Sequence, residues 1–514
     1  MTAISIKEAL HRPLETDSTI PSHSSVLTAI DPATGQTIGT VAITPEERIP
    51  EIVARAREAQ RKWSALPFAG RAAALAGLRA VIVRRAVEIA ETISRGMGKP
   101  LVEALAHDVG LVLDELDEYI AHGAAWLADE PVAVPAKFGT GKRALIRRVP
   151  RGVVCLIAPW NYPFGIAMGP LMPALAAGNA VILKPTSAVP MIGLLIEQVC
   201  QEAFRDHPDL VQVVHGPGKL GSAIATADGV DFVSFTGSTR VGRQLEAALA
   251  PLLRPALLEL GGSDPAIVTD DANLERAANG VVWGRFSNNG QICEAVKRVY
   301  VQRAVAEPFI QKVVEKVRAL RMGPYTDHAV DVGPLASARG IQALTEQLQD
   351  AIDRGATVET GGFMAETTAG LFWPPTVLTN VDSSMRVMNE EVFGPILPIR
   401  VVENDEEAIT EANRSESGLG AYVFCGDPAR AERIADRLRA GTVDINETVV
   451  HYVIAALPFG GIKQSGINRY HGKVGMQLFT DIKSMVISDG KQDREAYWFP
   501  YSAAGLKAVE DSLR

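Results

Sequence analysis

Residues 152–183 contain no Asp, Glu, Lys or Arg, and this run limits the fold more tightly than any other feature of the chain. Its length would suffice to cross a bilayer. However, Pro159, Pro163, Pro170 and Pro173 interrupt it, and Asn161 and Asn179 are polar. Such a stretch reads as a strand at 153–158, a loop, a short helix and a second strand at 180–183, all buried in protein. Strands that are apolar along their whole length belong to parallel sheets covered on both faces.

The pattern continues downstream. Residues 191–204 read as a helix, 210–214 as a strand, 219–227 as a helix, 232–235 as a strand and 242–250 as a helix. Repeated units of this kind build a parallel sheet that binds ligands at the carboxyl ends of its strands. After Glu259 the alternation restarts, with a strand at 266–268, a helix at 274–287, a strand at 298–301 and a helix at 308–319. This is a second α/β unit, as expected for a 514-residue chain too long for one core. Residues 44–128 carry Ala, Arg and Glu at helical spacing. Residues 134–149 alternate around Gly139-Thr140-Gly141 and read as a hairpin, and 483–488 as a late single strand.

Composition narrows the partners. The chain is 47% hydrophobic and 22% charged, ordinary for a soluble protein. A net charge of -9 without a Lys/Arg-rich block argues against nucleic acid or an anionic membrane. The first 25 residues hold Glu8, Glu15 and Asp17 but no apolar run, so they read as a flexible leader, not a secretory or transit signal. Four cysteines without C-x-x-C spacing predict neither a disulfide scaffold nor a metal site, and fit a reducing, cytoplasmic setting. Cys155, Cys200 and Cys425 lie in apolar patterns and read as buried structural thiols.

Cys293 is different. It ends Asn289-Gly290-Gln291-Ile292-Cys293, a turn following a helix. Glu259 follows Leu257-Leu258 and opens Glu259-Leu260-Gly261-Gly262, and Pro159-Trp160-Asn161-Tyr162-Pro163 follows an apolar strand. Glycine in such turns lets backbone approach a ligand closely. A thiolate can attack a carbonyl and later leave from a thioester. A partly desolvated carboxylate can deprotonate water. The Asn161 amide, with the Cys293 N–H, can donate to an oxyanion. Singly, each has a plainer reading: a buried thiol, a solvated acid, a turn-forming Asn between prolines.

Together, with 34 residues separating Glu259 from Cys293, these motifs resemble the signature set of the NAD(P)-dependent aldehyde dehydrogenase superfamily, over about residues 31–487. The resemblance implies oxidation of an aldehyde to the acid through a thiohemiacetal and thioester on Cys293, hydrolysed with Glu259 as base and Asn161 as oxyanion donor. It implies NAD or NADP as cofactor, held by Pro159, Trp160, Lys184, Ser187, Gly218 and Gly221, by Phe235-Thr236-Gly237-Ser238, and by Gly261, Glu391 and Phe393. The run at 235–242 is not the usual G-x-G-x-x-G, but its N–H groups before a helix suit a pyrophosphate. Tyr162, Ile166, Gly169 and Ile292, with Met168, would line the substrate tunnel. The implied fold is α/β, with a Rossmann-like parallel-sheet cofactor domain (26–133 and 150–258), an α/β catalytic domain (259–455), a small β oligomerisation flap (134–149 and 475–490) and a C-terminal tail (491–514). The partners implied are a small aldehyde and further copies of the chain, as a homodimer or homotetramer. The run Pro458–Gly466, rich in glycine, reads as architecture.

Four positions depart from the family pattern. Ser263 follows Gly262 where Lys is common, with little expected effect. Ser187 stands where NAD-preferring members often carry Glu, so nothing there repels a 2′-phosphate. Glu294 directly follows the thiol and would raise its pKa if it faced the site; it is expected to point away. Residues 164–183 lack the Arg with which succinate-semialdehyde enzymes bind a second carboxylate, so an uncharged aliphatic or aromatic aldehyde is favoured over succinate semialdehyde. A CoA-acylating relative is the further alternative, against which Glu259 argues. A cofactor-free cysteine hydrolase would need a His beside the thiol, and His215, His451 and His471 show no recognisable pairing. A non-catalytic protein on the same fold would not need Cys293, Glu259, Asn161 and Lys184 together. The aromatic run Tyr497-Trp498-Phe499-Pro500-Tyr501 reads as packing, or as a cover over a neighbouring subunit's tunnel.

Overall fold

A computed structural model describes residues 25–135, 141–364, 370–495 and 497–513. The expected leader, up to residue 24, and the Gly139-Thr140 part of the predicted turn lie outside the described residues.

The uncharged run forms the centre of the first sheet. Val153–Ile157 pairs in parallel with Ala180–Lys184 on one side and with Phe232–Thr236 on the other. Val211–Val213 and Ala256–Glu259 extend the sheet outward, and Gly466–Ile467 adds one antiparallel strand beyond Glu259. The chain therefore winds outward in one direction from Val153–Ile157 and then in the other, leaving a topological switch point beside that strand. The helix Gly165–Ala176 is buried along its entire length, prolines included, which is why no charge is tolerated there. The helices Ile49–Ser64, Phe68–Arg84, Ala86–Met97 and Leu111–Trp126 pack against the same core. A wide helical turn at Ala104–Gly110 precedes the last of them. A hairpin of Val26–Ile30 and Thr37–Ala42 precedes the helices; the sequence reading did not anticipate it.

The second sheet runs, edge to edge, Thr357–Thr360, Thr376–Thr379, Ile396–Val402, Val296–Gln302, Asp264–Val268, Tyr422–Phe424 and Asp444–Ile445. All neighbours are parallel except the first pair. Its faces feed separate cores. Ala266, Val268, Val299 and Val301 meet the helices Leu274–Phe286 and Ala306–Ala319. Ile267 and Tyr300 meet Ala338–Asp353, Asp405–Asn413 and Pro428–Ala435. The central strand starts at Val296, two residues before the sequence-based start. Lys297 and Arg298 look like a strand end but are buried and partnered, Lys297 with Glu391 at 3.4 Å and Arg298 with the Ser263 carbonyl at 2.6 Å.

A third sheet joins Glu130–Val132, Lys142–Pro150 and Thr480–Ser488, all antiparallel. The late strand is thus paired along its whole length, with Asp481 opposite Val149 and Ser488 opposite Lys142. Its Ile482 and Val486 are exposed. Among the described residues no single helix is long and apolar enough to cross a membrane.

Candidate active site

The turn that carries Cys293 is made by residues that accept left-handed backbone. Helix Leu274–Phe286 ends in a tight turn at Ser287–Gly290, where Asn288, Asn289 and Gly290 have φ of 49°, 53° and 72°. Asn and Gly reach this region at least cost. A Cβ on Gly290 would stand 2.5 Å from the Gly394 carbonyl oxygen. The turn is braced from four directions. Glu103 accepts from Ser287 Oγ at 2.9 Å and Asn288 N at 3.0 Å. Asn288 Nδ2 donates to the Asn161 carbonyl at 2.9 Å, Asn289 Nδ2 to the Gly333 carbonyl at 2.9 Å, and Ala336 N to Gln291 Oε1 at 3.0 Å. Such bracing holds a reacting atom where a 1 Å error would matter.

Glu259 is the last residue of its strand. The glycines after it bring it to the thiol: a Cβ on Gly262 would lie 2.4 Å from the Cys293 carbonyl oxygen. Both side chains line one narrow cavity of about 50 Å3. Its walls include Tyr162, Ile166 and Ile292, as the sequence reading expects, together with His107, Leu111, Trp283, Val449, Tyr452, Val453, Phe459 and Tyr470. Gly169 stands one layer back, where a Cβ would meet the Tyr470 ring at 3.2 Å, and Met168 is fully buried. No Arg or Lys lines this cavity. A second depression, about 460 Å3, shares His107, Trp283 and Ser287 with it; apolar side chains such as Val282, Phe286 and Leu320 form most of its wall, with Glu103, Lys316 and Asp331 also lining it.

Asn161 is not part of the cavity wall, but its backbone is fixed beside it. Its carbonyl accepts from Lys99 Nζ at 2.9 Å as well as from Asn288. Lys99 pairs with Asp108 at 2.9 Å, both fully buried, and Asp108 Oδ1 accepts from Phe164 N and Gly165 N at 3.2 and 3.0 Å. Lys99 also lies 3.8 Å from the centre of the Tyr162 ring.

The charges here are unusual. Burial, then Glu294, pushes the Cys293 thiol well above its ordinary range, against the pull of Lys297. Burial likewise raises Glu259 well above the usual carboxylate range, opposed by Arg469. Both Glu259 oxygens are buried with no hydrogen-bond partner among the described residues. Glu294 also lines the cavity and acts on the thiol, against the expectation that it points away, and its carboxylate is hydrogen-bonded to His451 Nε2 at 2.8 Å. The same ring's Nδ1 lies 3.0 Å from Asp444 Oδ2. Burial alone would lower the imidazole's pKa, but the two carboxylates outweigh it and push His451 up to about 10.

The expected cofactor residues fall in two groups. At the carboxyl ends of the first sheet, Pro159 and Trp160 follow Val153–Ile157, Lys184 ends its strand, and half-buried Ser187 lies three residues on. Gly218 opens helix Gly218–Thr226, and a Cβ on Gly221 would sit 3.2 Å from Ile157 and 3.4 Å from Lys184. Phe235 and Thr236 end their strand, Gly237 follows, and Ser238 Oγ caps helix Thr239–Leu249 by accepting from Val241 N. The second group lies against the Cys293 segment. Phe393 meets Trp160 edge-on at 5.4 Å. Glu391 Oε1 accepts from Gly262 N at 3.3 Å and Lys297 Nζ at 3.4 Å. Any Cβ on Gly261 would strike Glu391 Oε2 at 2.3 Å. Helix N-termini at a switch point, with glycine clearing space at both ends, fit a dinucleotide. No group of three His, Cys, Asp or Glu among the described residues could hold a metal ion.

A model of the aldehyde dehydrogenase family matches residues 19–485. The chain is 37% identical over 490 residues to a 4,4'-diapolycopene aldehyde oxidase of Methylomonas sp, covering 95% of this chain and 91% of that one. It is 36% identical over 464 residues to a succinate-semialdehyde dehydrogenase [NADP(+)] of Deinococcus radiodurans, covering 88% and 93%. The crystal structure of an aldehyde dehydrogenase from Brucella melitensis biovar abortus 2308 superimposes with a TM-score of 0.86 at 32% identity, covering 95% of this chain and 99% of that chain.

Proposed function

This chain belongs to the aldehyde dehydrogenase family, and from that premise we propose that Cys293, Glu259 and Asn161 carry its oxidation of an aldehyde, and that the aldehyde is uncharged and largely apolar. The enzyme uses NAD or NADP. The observation that carries the reading is the backbone approach of Gly262 to Cys293, which sets base and thiol in one cavity.

In the proposed sequence Cys293 Sγ, as thiolate, bonds to the carbonyl carbon of the aldehyde, and the carbonyl oxygen takes the negative charge. Asn161 Nδ2 and the Cys293 N–H donate to that oxygen, the kind of contact worth roughly 2.7–4 kcal/mol of barrier. Trp160, Glu391 and Phe393 would hold the nicotinamide ring, which when bound would supply the acceptor for the hydride that departs from the same carbon with its electron pair. The carbon–oxygen double bond re-forms as a thioester on Cys293. Glu259 takes a proton from water, the water oxygen bonds to the acyl carbon, the carbon–sulfur bond breaks, and the acid leaves. Without a hydrogen-bond partner among the described residues, the Glu259 carboxylate is available for that proton.

An inner cavity without Arg or Lys favours an uncharged aldehyde. The outer depression beyond Trp283 would take the rest of a longer apolar chain. An aldehyde panel assayed for NAD(P)H formation tests this. Hexanal, decanal and benzaldehyde should exceed succinate semialdehyde, and a clear preference for the latter would sink the substrate reading. Cys293→Ala should lower kcat by about 10^4-fold or more. Addition of CoA should leave the free acid as the product; acyl-CoA would overturn the water step. With Ser187 in place of a carboxylate, NADP should serve within about a hundredfold of NAD in kcat/KM, roughly 2.7 kcal/mol. Ser187→Glu should penalise NADP alone. The exposed strand Thr480–Ser488 and its partners are proposed as the surface on which copies assemble into a dimer or tetramer.

A further inference from the structure

Glu294 poses a problem that the catalytic scheme does not solve. It directly follows the nucleophile, it is buried, and an uncompensated carboxylate there opposes a thiolate. The thiol already faces Glu259 and Glu391, with Lys297 as the opposing cation. Three features converge on Glu294. Its carbonyl accepts from the Tyr422 hydroxyl. Its carboxylate meets His451 Nε2 at 2.8 Å. The imidazole is in turn sandwiched: Asp444 Oδ2 stands 3.0 Å from Nδ1, Thr442 Oγ1 lies 3.0 Å from Nε2, and Phe459, a wall of the cavity, stacks on the ring at 5.9 Å and 11°.

The backbone that aims His451 is itself strained. Val449, a β-branched residue, has φ of 63°, a conformation that persists only where the surroundings over-determine it. Here Asp444 Oδ2 accepts from Val450 N at 3.0 Å and fixes the start of helix Val450–Val453. Asp444 therefore fixes the start of the helix and stands beside the ring that the helix carries.

We propose that His451, seated between Glu294 and Asp444, is a positioning residue that turns the Glu294 carboxylate away from Cys293 and cancels its charge, so that the thiolate can form. This rests on Cys293 being the nucleophile, but it concerns the sulfur's ionisation and not turnover. His451 faces Glu294 and Asp444 most closely, with Asp264 within reach of its charge. Cys293 faces Glu294 and Lys297 on its own segment, Glu259 from the first sheet and Glu391 from the cofactor side, with the Tyr162, Tyr422 and Tyr452 hydroxyl groups also in range.

The test is the pH profile of Cys293 carboxamidomethylation by iodoacetamide in the full-length chain, read by peptide mass spectrometry to separate it from Cys155, Cys200 and Cys425. His451→Gln should move the midpoint up by about one unit, near tenfold slower labelling below the midpoint. Glu294→Gln should move it down by a similar amount. The double variant should return most of the way to the wild-type profile, which a merely structural His451 would not produce. A His451→Gln profile that superimposes on wild type overturns the proposal, as does a double variant displaced as far as His451→Gln alone. If His451→Gln fails to fold, Glu294→Gln still decides, since an unmoved midpoint there would refute charge cancellation. Loss of turnover with these labelling shifts intact would count against the catalytic scheme and not against this role for His451.

Discussion

Glu259 and Glu294 are each 3% exposed and line the same cavity beside the same sulfur, yet they live in opposite company. Glu259 has no hydrogen-bond partner among the described residues, and burial keeps its proton affinity high. Glu294 is met by an imidazole whose pKa it and a second carboxylate, Asp444, raise against the effect of burial. A carboxyl group without a partner can take and return a proton; one hydrogen-bonded to an imidazole is already engaged. Environment, not residue type, assigns the two roles, as it does wherever paired carboxylates divide acid and base work.

The sharpest way to break this contrast is Glu259→Gln. It should lower kcat by about 10^2–10^4-fold and leave an acyl adduct on Cys293 visible by mass spectrometry, whereas Glu294→Gln should leave no adduct. Accumulation in both variants would mean that the two acids share the hydrolytic step. A smaller effect lies in the pH dependence. With the thiol and Glu259 both raised, their deprotonated forms become available only as pH rises. kcat/KM should therefore climb from pH 6 to 9, and a profile flat over that range would contradict the reading. Smallest is the effect on stability. His451 has its folded pKa raised to about 10, against an ordinary 6.5. Its contribution is full below the unfolded value, declines as pH rises above it and is gone past about 10. The Tm difference between wild type and His451→Gln should accordingly be about one degree at pH 6, in line with about 1 kcal/mol in a chain of this size, and should shrink by pH 10.5.

Much of this was legible in the sequence because it is local. The uncharged run at 152–183 could only be interior, and parallel pairing followed from strands without alternation. Cys293 and Glu259 announced themselves through the glycines beside them, and Gly262 and Gly290 do meet backbone within 2.5 Å of where a Cβ would lie. What stayed hidden depends on contacts between distant segments. His451 showed no pairing because its partners are 157 residues upstream and in a strand of only two residues, Asp444–Ile445. Tyr452 and Tyr470 look like ordinary core aromatics, and their hydroxyl groups meet at 3.1 Å only after folding. Phe459 sat in a run that read as architecture, yet it lines the cavity. In the aromatic run at 497–501, Tyr497 meets Trp498 and Phe499 meets Tyr501, and all four rings are exposed on the single chain.

The cavity around Cys293 takes its sulfur and the Glu259 carboxylate from backbone turns, but much of its sides from side chains on other stretches, near 107–111, 162–166, 283 and 449–470. Substitutions on those stretches can reshape what fits without disturbing the spacing at which bonds are made and broken. A scaffold so divided can acquire new diets cheaply: a few altered side chains change what is admitted, while the machinery behind the door is inherited intact.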